Sequence, residues 1–304
     1  MMKTMLDRPH YVFRPQQALR RVGRILRPPF AREFEETTLP WGLPLRFRPR
    51  DHIGQFIYNH GLYDLCVSEA LYRLVEPGDT TADIGANIGQ MTSVLAARAQ
   101  RNGKVYAFEP HPEIFEELSE NVKLWRGNPN AAGVVPLPVA LSDSTGRGQL
   151  QVSAEFEHNR GTSSLVPDSE NSTTKTYSVP LVRLDSICCG GERLGVVKLD
   201  VEGHELGVLR GASGLLETGS IRDLIFEDYG VPLTPVMRLL ASYGYSLFSV
   251  GRRFVGLAIT PVTAQVSDTP GGPPSYLATN DPKRALARLR TPGWAVFGLS
   301  REPV

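Results

Sequence analysis

The chain has 304 residues, 41% hydrophobic and 21% charged, an ordinary globular composition that excludes wholesale disorder. Its 33 lysines and arginines face 32 aspartates and glutamates, so no overall basic field marks it as a nucleic-acid binder. No apolar run approaches the ~20 residues needed to span a bilayer, and residues 1–30 are arginine-rich without the apolar core of a secretory signal. The three cysteines, Cys66, Cys188 and Cys189, suit neither a disulfide framework nor a zinc site, and a reduced, cytoplasmic setting fits them best.

Charge is unevenly placed along the chain. Residues 1–50 carry eleven Lys/Arg and four Asp/Glu, a net +7, which leaves a net −6 for the rest. Arg14, Arg20, Arg21, Arg24 and Arg27 lie among Leu19, Val22, Ile25 and Leu26 at partly helical spacing. Two readings stay open for residues 1–60: a basic arm that touches an acidic partner or an anionic membrane surface, or a solvated cap on the main domain at 61–304.

From residue 80 onward strands and helices alternate. Residues 80–84 form a β-prone run that ends in a glycine turn, and 90–101 follow with Met91, Val94, Leu95 and Ala99 on one helical face. Lys104–Phe108 is the next strand. Residues 112–124 are helical: Pro112 suits the first turn, Glu113 complements the helix dipole, and Ile114, Phe115, Leu118 and Val122 recur at helical spacing. Residues 134–141 read as a third strand, 194–199 as a fourth and 223–227 as a fifth, with helices at 205–216 and 235–243. Residues 245–250 and 254–259 read as an antiparallel hairpin, 294–297 as one more short strand. This alternation predicts a doubly wound α/β fold with a mostly parallel sheet and helices on both faces. The segment at about 145–187 interrupts it as an inserted β-hairpin (148–152 and 176–181), and Pro/Gly-rich residues near 260–275 form a loop.

The sharpest chemical signal is Asp83-Ile84-Gly85-Ala86-Asn87-Ile88-Gly89, between the first strand and its helix. Gly85 and Gly89 permit a tight turn before a helix N-terminus. A diphosphate would not welcome the Asp83 carboxylate, whereas a cationic amino-acid moiety would, which favours S-adenosylmethionine over a dinucleotide. Phe108-Glu109-Pro110 ends the next strand, where an acid some 20 to 25 residues past the glycine turn is placed to accept from ribose hydroxyls. Ser142 and Asp143 follow the third strand; Asp143 is a candidate for the adenine amino group with a backbone N–H beside it, or a turn residue. In Lys198-Leu199-Asp200-Val201-Glu202-Gly203-His204-Glu205, ionisable groups cluster where the fourth strand opens into a helix. Asp200 and His204 are candidate general bases, Glu202 a positioning residue, and Lys198 an ion-pair partner. Glu227 and Asp228 end the fifth strand; with Asp200 they offer oxygen ligands for Mg²⁺, or else orient a substrate and cap a turn.

In their order these motifs resemble the FkbM family of S-adenosylmethionine-dependent methyltransferases. The resemblance runs from about Gly78 to Ile259 and includes Leu184-Asp185 ahead of the Lys-x-Asp-x-Glu-Gly segment. It implies a class I methyltransferase fold, a seven-stranded sheet whose last strand is antiparallel. It implies methyl transfer to an oxygen of a sugar, glycolipid, polyketide or other natural product, with a small-molecule or glycan acceptor. Carried over by position, Asp83, Gly85, Ala86, Asn87 and Gly89 would line the methionine part of the cofactor. Glu109 and Pro110 would meet the ribose, and Ser142 and Asp143 the adenine. Asp200, Glu202, His204 and Glu227 would surround the transferring methyl. Two rivals stand beside this reading: an NAD-dependent oxidoreductase, which the Gly-x-x-x-Gly spacing and Asp83 oppose, and a non-catalytic binding module, which the acidic cluster opposes.

Overall fold

The computed structural model describes residues 32–152, 160, 163–166, 175–188, 191–229, 233–262 and 275–298. The basic helical segment expected within residues 1–30 lies outside them. The described chain begins with a small antiparallel hairpin, β1 (Glu35–Thr38) and β2 (Pro44–Phe47), followed by helices α1 (His52–His60) and α2 (Leu65–Leu74). None of these four elements is evident from the alternation downstream. Leu43, Leu45 and Phe47 bury themselves in the main core. Asn121 fastens the hairpin by accepting from the Arg46 N–H at 2.7 Å and donating to the Arg46 carbonyl at 2.9 Å.

The central unit alternates as expected: β3 (Thr80–Ile84), α3 (Gln90–Ala99), β4 (Lys104–Phe108), α4 (Pro112–Trp125) and β5 (Gly133–Leu137). The expected third strand at 134–141 is in fact two. Pro136 and Pro138 fall in its middle, and Pro138 cannot donate to a ladder. β5 therefore stops at Leu137, and β6 (Ala140–Leu141) joins a different sheet. That second, four-stranded sheet orders β6 and the inserted strands as β6-β9-β7-β8, with β7 (Gly146–Val152), β8 (Ser163–Val166) and β9 (Thr176–Val182) around Leu150 and Val179. The insertion is thus larger than a hairpin, although β7 and β9 do pair antiparallel.

After the short helix α5 (Leu184–Ile187) the chain enters β10 (Leu194–Leu199), buried at every position. Such a buried run, apolar but for Lys198, suits a central parallel strand covered on both faces. Next come α6 (Glu205–Arg210), α7 (Ser213–Glu217), β11 (Ile221–Glu227), α8 (Pro235–Ser242), and the hairpin β12 (Ser246–Arg252) and β13 (Leu257–Pro261). The last strand is β14 (Ser275–Thr279), antiparallel to both neighbours, followed by α9 (Pro282–Leu289). The expected strand at 294–297 is instead a 3₁₀ turn at Ala295–Phe297.

The main sheet runs β13-β12-β14-β11-β10-β3-β4-β5, with parallel pairing from β5 through β11. It has eight strands: seven that include the antiparallel last strand, plus β13 as the outer partner of β12. One apolar cluster packs α2, α3, α4 and α9 with the N-terminal hairpin on one face, and a second packs α6, α7 and α8 on the other. The carboxyl ends of β3, β4, β10 and β11 consequently lie side by side, the place where open α/β sheets bind ligands.

Candidate active site

A cavity of about 340 Å³ opens at those four strand ends, within the ~300–1,000 Å³ typical of small-molecule sites. Each neighbouring strand contributes a residue to it: Gly85 after β3, and the carboxyl groups of Glu109 after β4, Asp200 after β10 and Glu227 at the end of β11.

The glycine turn is shaped by contacts within the protein. Gly85 has φ +77°, and a Cβ there would stand 1.8 Å from the Asp200 carbonyl oxygen. Its hydrogen would be replaced by an atom with nowhere to go, so this close approach serves the β3–β10 junction rather than a ligand. The N–H groups of Gly85 and Ala86 both donate to the Phe108 carbonyl, at 3.0 and 2.9 Å. Gly89 lies behind the turn, where a Cβ would press on Leu118 at 2.7 Å. It lets α3 pack on α4 and is not part of the cavity wall. Asn87, held at φ +49°, accepts the Ile88 N–H with its own side chain at 2.8 Å.

Glu109 is only 6% exposed but reaches the cavity. Its Oε2 accepts the Asn87 N–H and its Oε1 the His111 N–H, both at 2.9 Å. Burial pushes its pKa up to about 7 against the pull of those two N–H groups. Each oxygen keeps a lone pair for a further donor. Pro110 and Ala86 complete this wall.

Asp83 departs from expectation. It is fully buried beneath the turn and is not part of the cavity wall. Its Oδ2 accepts from the Thr92 hydroxyl at 2.6 Å, and Lys198 Nζ stands 3.6 Å from Oδ1. Burial raises its pKa. The countercharge that the sequence assigns to a ligand amine is supplied by Lys198. That lysine also donates to the Gly85 carbonyl at 2.8 Å and pairs with Asp200 Oδ2 at 3.2 Å. Burial disfavours its charge, but Asp200 and Asp83 outweigh burial and hold the ammonium above its ordinary pKa. The expected ion-pair role of Lys198 is what the geometry has.

Asp200, Glu202, His204 and Glu227 all line the cavity. Glu202 at φ +52° and Gly203 at φ +96° turn the chain sharply after β10, and Glu205 Oε1 secures the turn by accepting the Gly203 N–H at 3.1 Å. His204 Nε2 lies 3.0 Å from the Ser142 hydroxyl. Burial, reinforced by Asp200 and Asp64, pushes the Glu227 carboxyl up to about 8.

Ser142 and Asp143 stand outside the wall. The Ser142 N–H, expected beside a purine ring, is taken by the Val182 carbonyl at 2.9 Å because residue 142 continues the β6–β9 pairing. Asp143 is exposed, 3.4 Å from the Ser142 hydroxyl. Val139, Ala140 and Leu141 occupy the wall where these two residues were expected. Of the two readings open for Asp200, Glu227 and Asp228, the magnesium site has no support in the geometry: among the described residues no group of three His, Cys, Asp or Glu side chains is placed to hold a metal. Asp200 is paired with Lys198, and Asp228 receives the Thr234 hydroxyl at the start of α8.

The sequence reading passes over part of the wall altogether: His52, Tyr63, Asp64 and Tyr229. Asp64 is legible as the cap of α2, accepting the Val67 N–H at 2.9 Å. Its place in the site depends on Gln90, whose side-chain amide accepts the Tyr63 N–H at 2.5 Å and donates to the Tyr63 carbonyl at 2.8 Å. That bond ties the start of α2 to the glycine turn across 27 residues.

Residues 83–247 match the family described as the methyltransferase FkbM domain. The hexuronic acid methyltransferase AglP of Haloferax volcanii is 33% identical over 178 residues, 58% of this chain and 66% of that protein. The 31-O-demethyl-FK506 methyltransferase FkbM of Streptomyces tacrolimicus is 27% identical over 245 residues, 70% of this chain and 90% of that protein. A crystal structure of a methyltransferase FkbM from Methylobacillus flagellatus KT superposes with a TM-score of 0.42 at 15% identity, covering 74% of this chain. The chain thus spans just under two thirds of AglP and 52% of that crystallised protein.

Proposed function

The chain belongs to the methyltransferase FkbM domain family, and from that premise we propose that it transfers a methyl group from S-adenosylmethionine to a hydroxyl oxygen of a sugar or other natural product. One observation carries the reading. The buried carboxylate of Glu109 and the glycine turn form one wall of a cavity whose other wall is the acidic group Asp200, Glu202 and Glu227. The two relatives named above are a hexuronic acid methyltransferase and a 31-O-demethyl-FK506 methyltransferase, which supports an oxygen acceptor.

The donor set fits the cofactor. Glu109 has free lone pairs for two ribose hydroxyls, and the apolar strip of Phe108, Val139 and Leu141 suits a purine face. Asp200 and the turn at Gly85–Asn87 would hold the amino-acid end. When bound, S-adenosylmethionine supplies an electrophilic methyl. The chain's own residues must align the acceptor and take its proton, because a hydroxyl is a poor nucleophile at neutral pH. Glu202 and Glu227 position the acceptor. His204 or Asp200 takes the proton. The Ser142 hydroxyl, 3.0 Å from His204 Nε2, fixes the orientation of the ring.

Calorimetric titration with S-adenosylhomocysteine tests the reading. The wild-type chain should bind in the micromolar range. Glu109→Gln replaces a charged acceptor by a neutral one, a loss of about 1.5–3 kcal/mol, and should weaken binding by about 10- to 100-fold. Absence of binding to folded wild-type protein would defeat the proposal.

A further inference from the structure

We infer that residues 52–64, which precede the family-matched region, build an acceptor subsite with Glu227 and Tyr229, and that this subsite takes an uncharged, hydroxyl-rich ring and rejects an anionic one. The inference rests on the methyltransferase reading above and assigns its acceptor class.

Three observations carry it. The first is an aromatic group at the cavity mouth. His52 and Tyr63 line the cavity, and Phe56 packs edge-on against both, with ring centroids 5.1 Å from His52 and 5.6 Å from Tyr63. Phe56 is 40% exposed, and Tyr229, on the same wall, is 71% exposed. Large aromatic faces left in water beside a cavity that carries carboxyl groups suit a ring that offers C–H faces to them and hydroxyls to the polar groups.

The second is the kind of polar group on offer. Asp64, Glu202 and Glu227 are carboxyl groups, and carboxylates accept hydrogen bonds from hydroxyls. An ionised carboxylate has no donor to offer another carboxylate. Among the described residues, the wall's two permanent cations are already committed: Lys198 faces Asp83 and Asp200, and Arg160 faces Glu113 and Glu117. An anionic acceptor would shed its hydration in a cavity whose described residues give it no uncommitted permanent countercharge. The raised pKa of Glu227 reports the same field, since burial beside Asp200 and Asp64 already forces one carboxyl to keep its proton.

The third is rigidity. Tyr63 is held on its backbone by Gln90 and Ser68, and Asp64 adopts φ +41°, a left-handed conformation costly for a non-glycine residue. The Asp64 carboxylate caps α2, so the strained turn and the helix start fix each other. This presents Tyr63 and Asp64 to the cavity in a single arrangement, as a specificity wall requires.

The test is saturation-transfer NMR on the full chain saturated with S-adenosylhomocysteine, comparing methyl glucoside with methyl glucuronoside. The glucoside should receive saturation from the protein. The glucuronoside should bind at least about tenfold more weakly, because like-charge juxtaposition costs several kcal/mol. Asp64→Asn retains a cap oxygen, so its fold should persist, and it should narrow the preference. Tyr229→Ser, at an exposed position, should weaken the glucoside signal. Equal or stronger response from the glucuronoside, no response from the glucoside, or a preference unmoved by both substitutions would each overturn the inference. Calorimetry with S-adenosylhomocysteine on the same samples separates the two levels. Retained cofactor-site binding with no glucoside preference overturns only the acceptor class, and loss of that binding in wild type overturns both.

Discussion

Two buried charge clusters, one on α2 and one at the end of β10, are finished in different ways. Glu69 and Arg73, one turn apart on α2, form a 2.5 Å ion pair with side chains essentially excluded from water. Both side chains take further partners inside the protein. Glu69 accepts the N–H groups of Ala295 and Val296 at 2.7 and 2.9 Å, and Arg73 donates to the carbonyls of Arg288 and Gly293, both at 3.0 Å. The result docks the C-terminal segment onto α2. The cluster at Lys198 has the same ingredients but is left open. Lys198 and Asp83 are buried, yet Asp200 keeps a third of its side chain in the cavity, and Glu109 spends only one bond per oxygen on the backbone. A saturated buried cluster locks structure. An unsaturated one facing a cavity retains free energy of interaction for a ligand.

The comparison can be broken most directly at Glu69. Removing one partner of a buried pair strands the other, at a cost of about 3–5 kcal/mol. Glu69→Ala should therefore lower the urea midpoint steeply. The folded fraction should keep its affinity for S-adenosylhomocysteine, and a matching loss of affinity would show that the two clusters are not separate.

The pH dependence of stability sharpens the same contrast. Glu109 and Glu227 have folded pKa values of about 7 and about 8, above the ordinary value of 4.5. The folded state then binds these protons more tightly than the unfolded state. Their stabilising contribution is complete below about pH 4.5 and is lost as pH rises through 7 and 8. Melting temperature should fall between pH 5.5 and 8.5 in the absence of ligand. Glu227→Gln should flatten that slope, because glutamine has no proton to lose. Glu76 and Glu113, whose pKa values are lowered by Arg284 and by Tyr177 and Lys175 despite some burial, are already ionised across this window and add no opposing slope.

The smallest effect is expected at Ser142. Its hydroxyl orients His204 from outside the cavity wall, and such a hydrogen bond contributes about 0.5–1.5 kcal/mol. Ser142→Ala should leave S-adenosylhomocysteine affinity unchanged and shift the pH profile of turnover. An unchanged profile would remove His204 as the proton acceptor.

Local chemistry made much of this protein legible from its residues. The glycine turn announces itself because only glycine tolerates φ near +77° with a carbonyl 1.8 Å from where Cβ would be. Glu109 is legible because β4 pairs with β3 in register, so the residue after each strand must arrive at the same edge. The all-buried β10 and its single lysine are legible because an apolar run with one charge must pair that charge. Tertiary structure decided the rest. The backbone N–H of Ser142 was claimed by a strand partner forty residues away, which spacing cannot show. Asp83 was turned inward to Lys198 rather than outward to a ligand. Tyr63 and Asp64 entered the site through one glutamine on another helix. A sequence displays its own turns and periodicities because these depend on neighbours along the chain. Which of two available partners a buried polar group takes depends on neighbours in space, and those exist only once the sheet has closed over them.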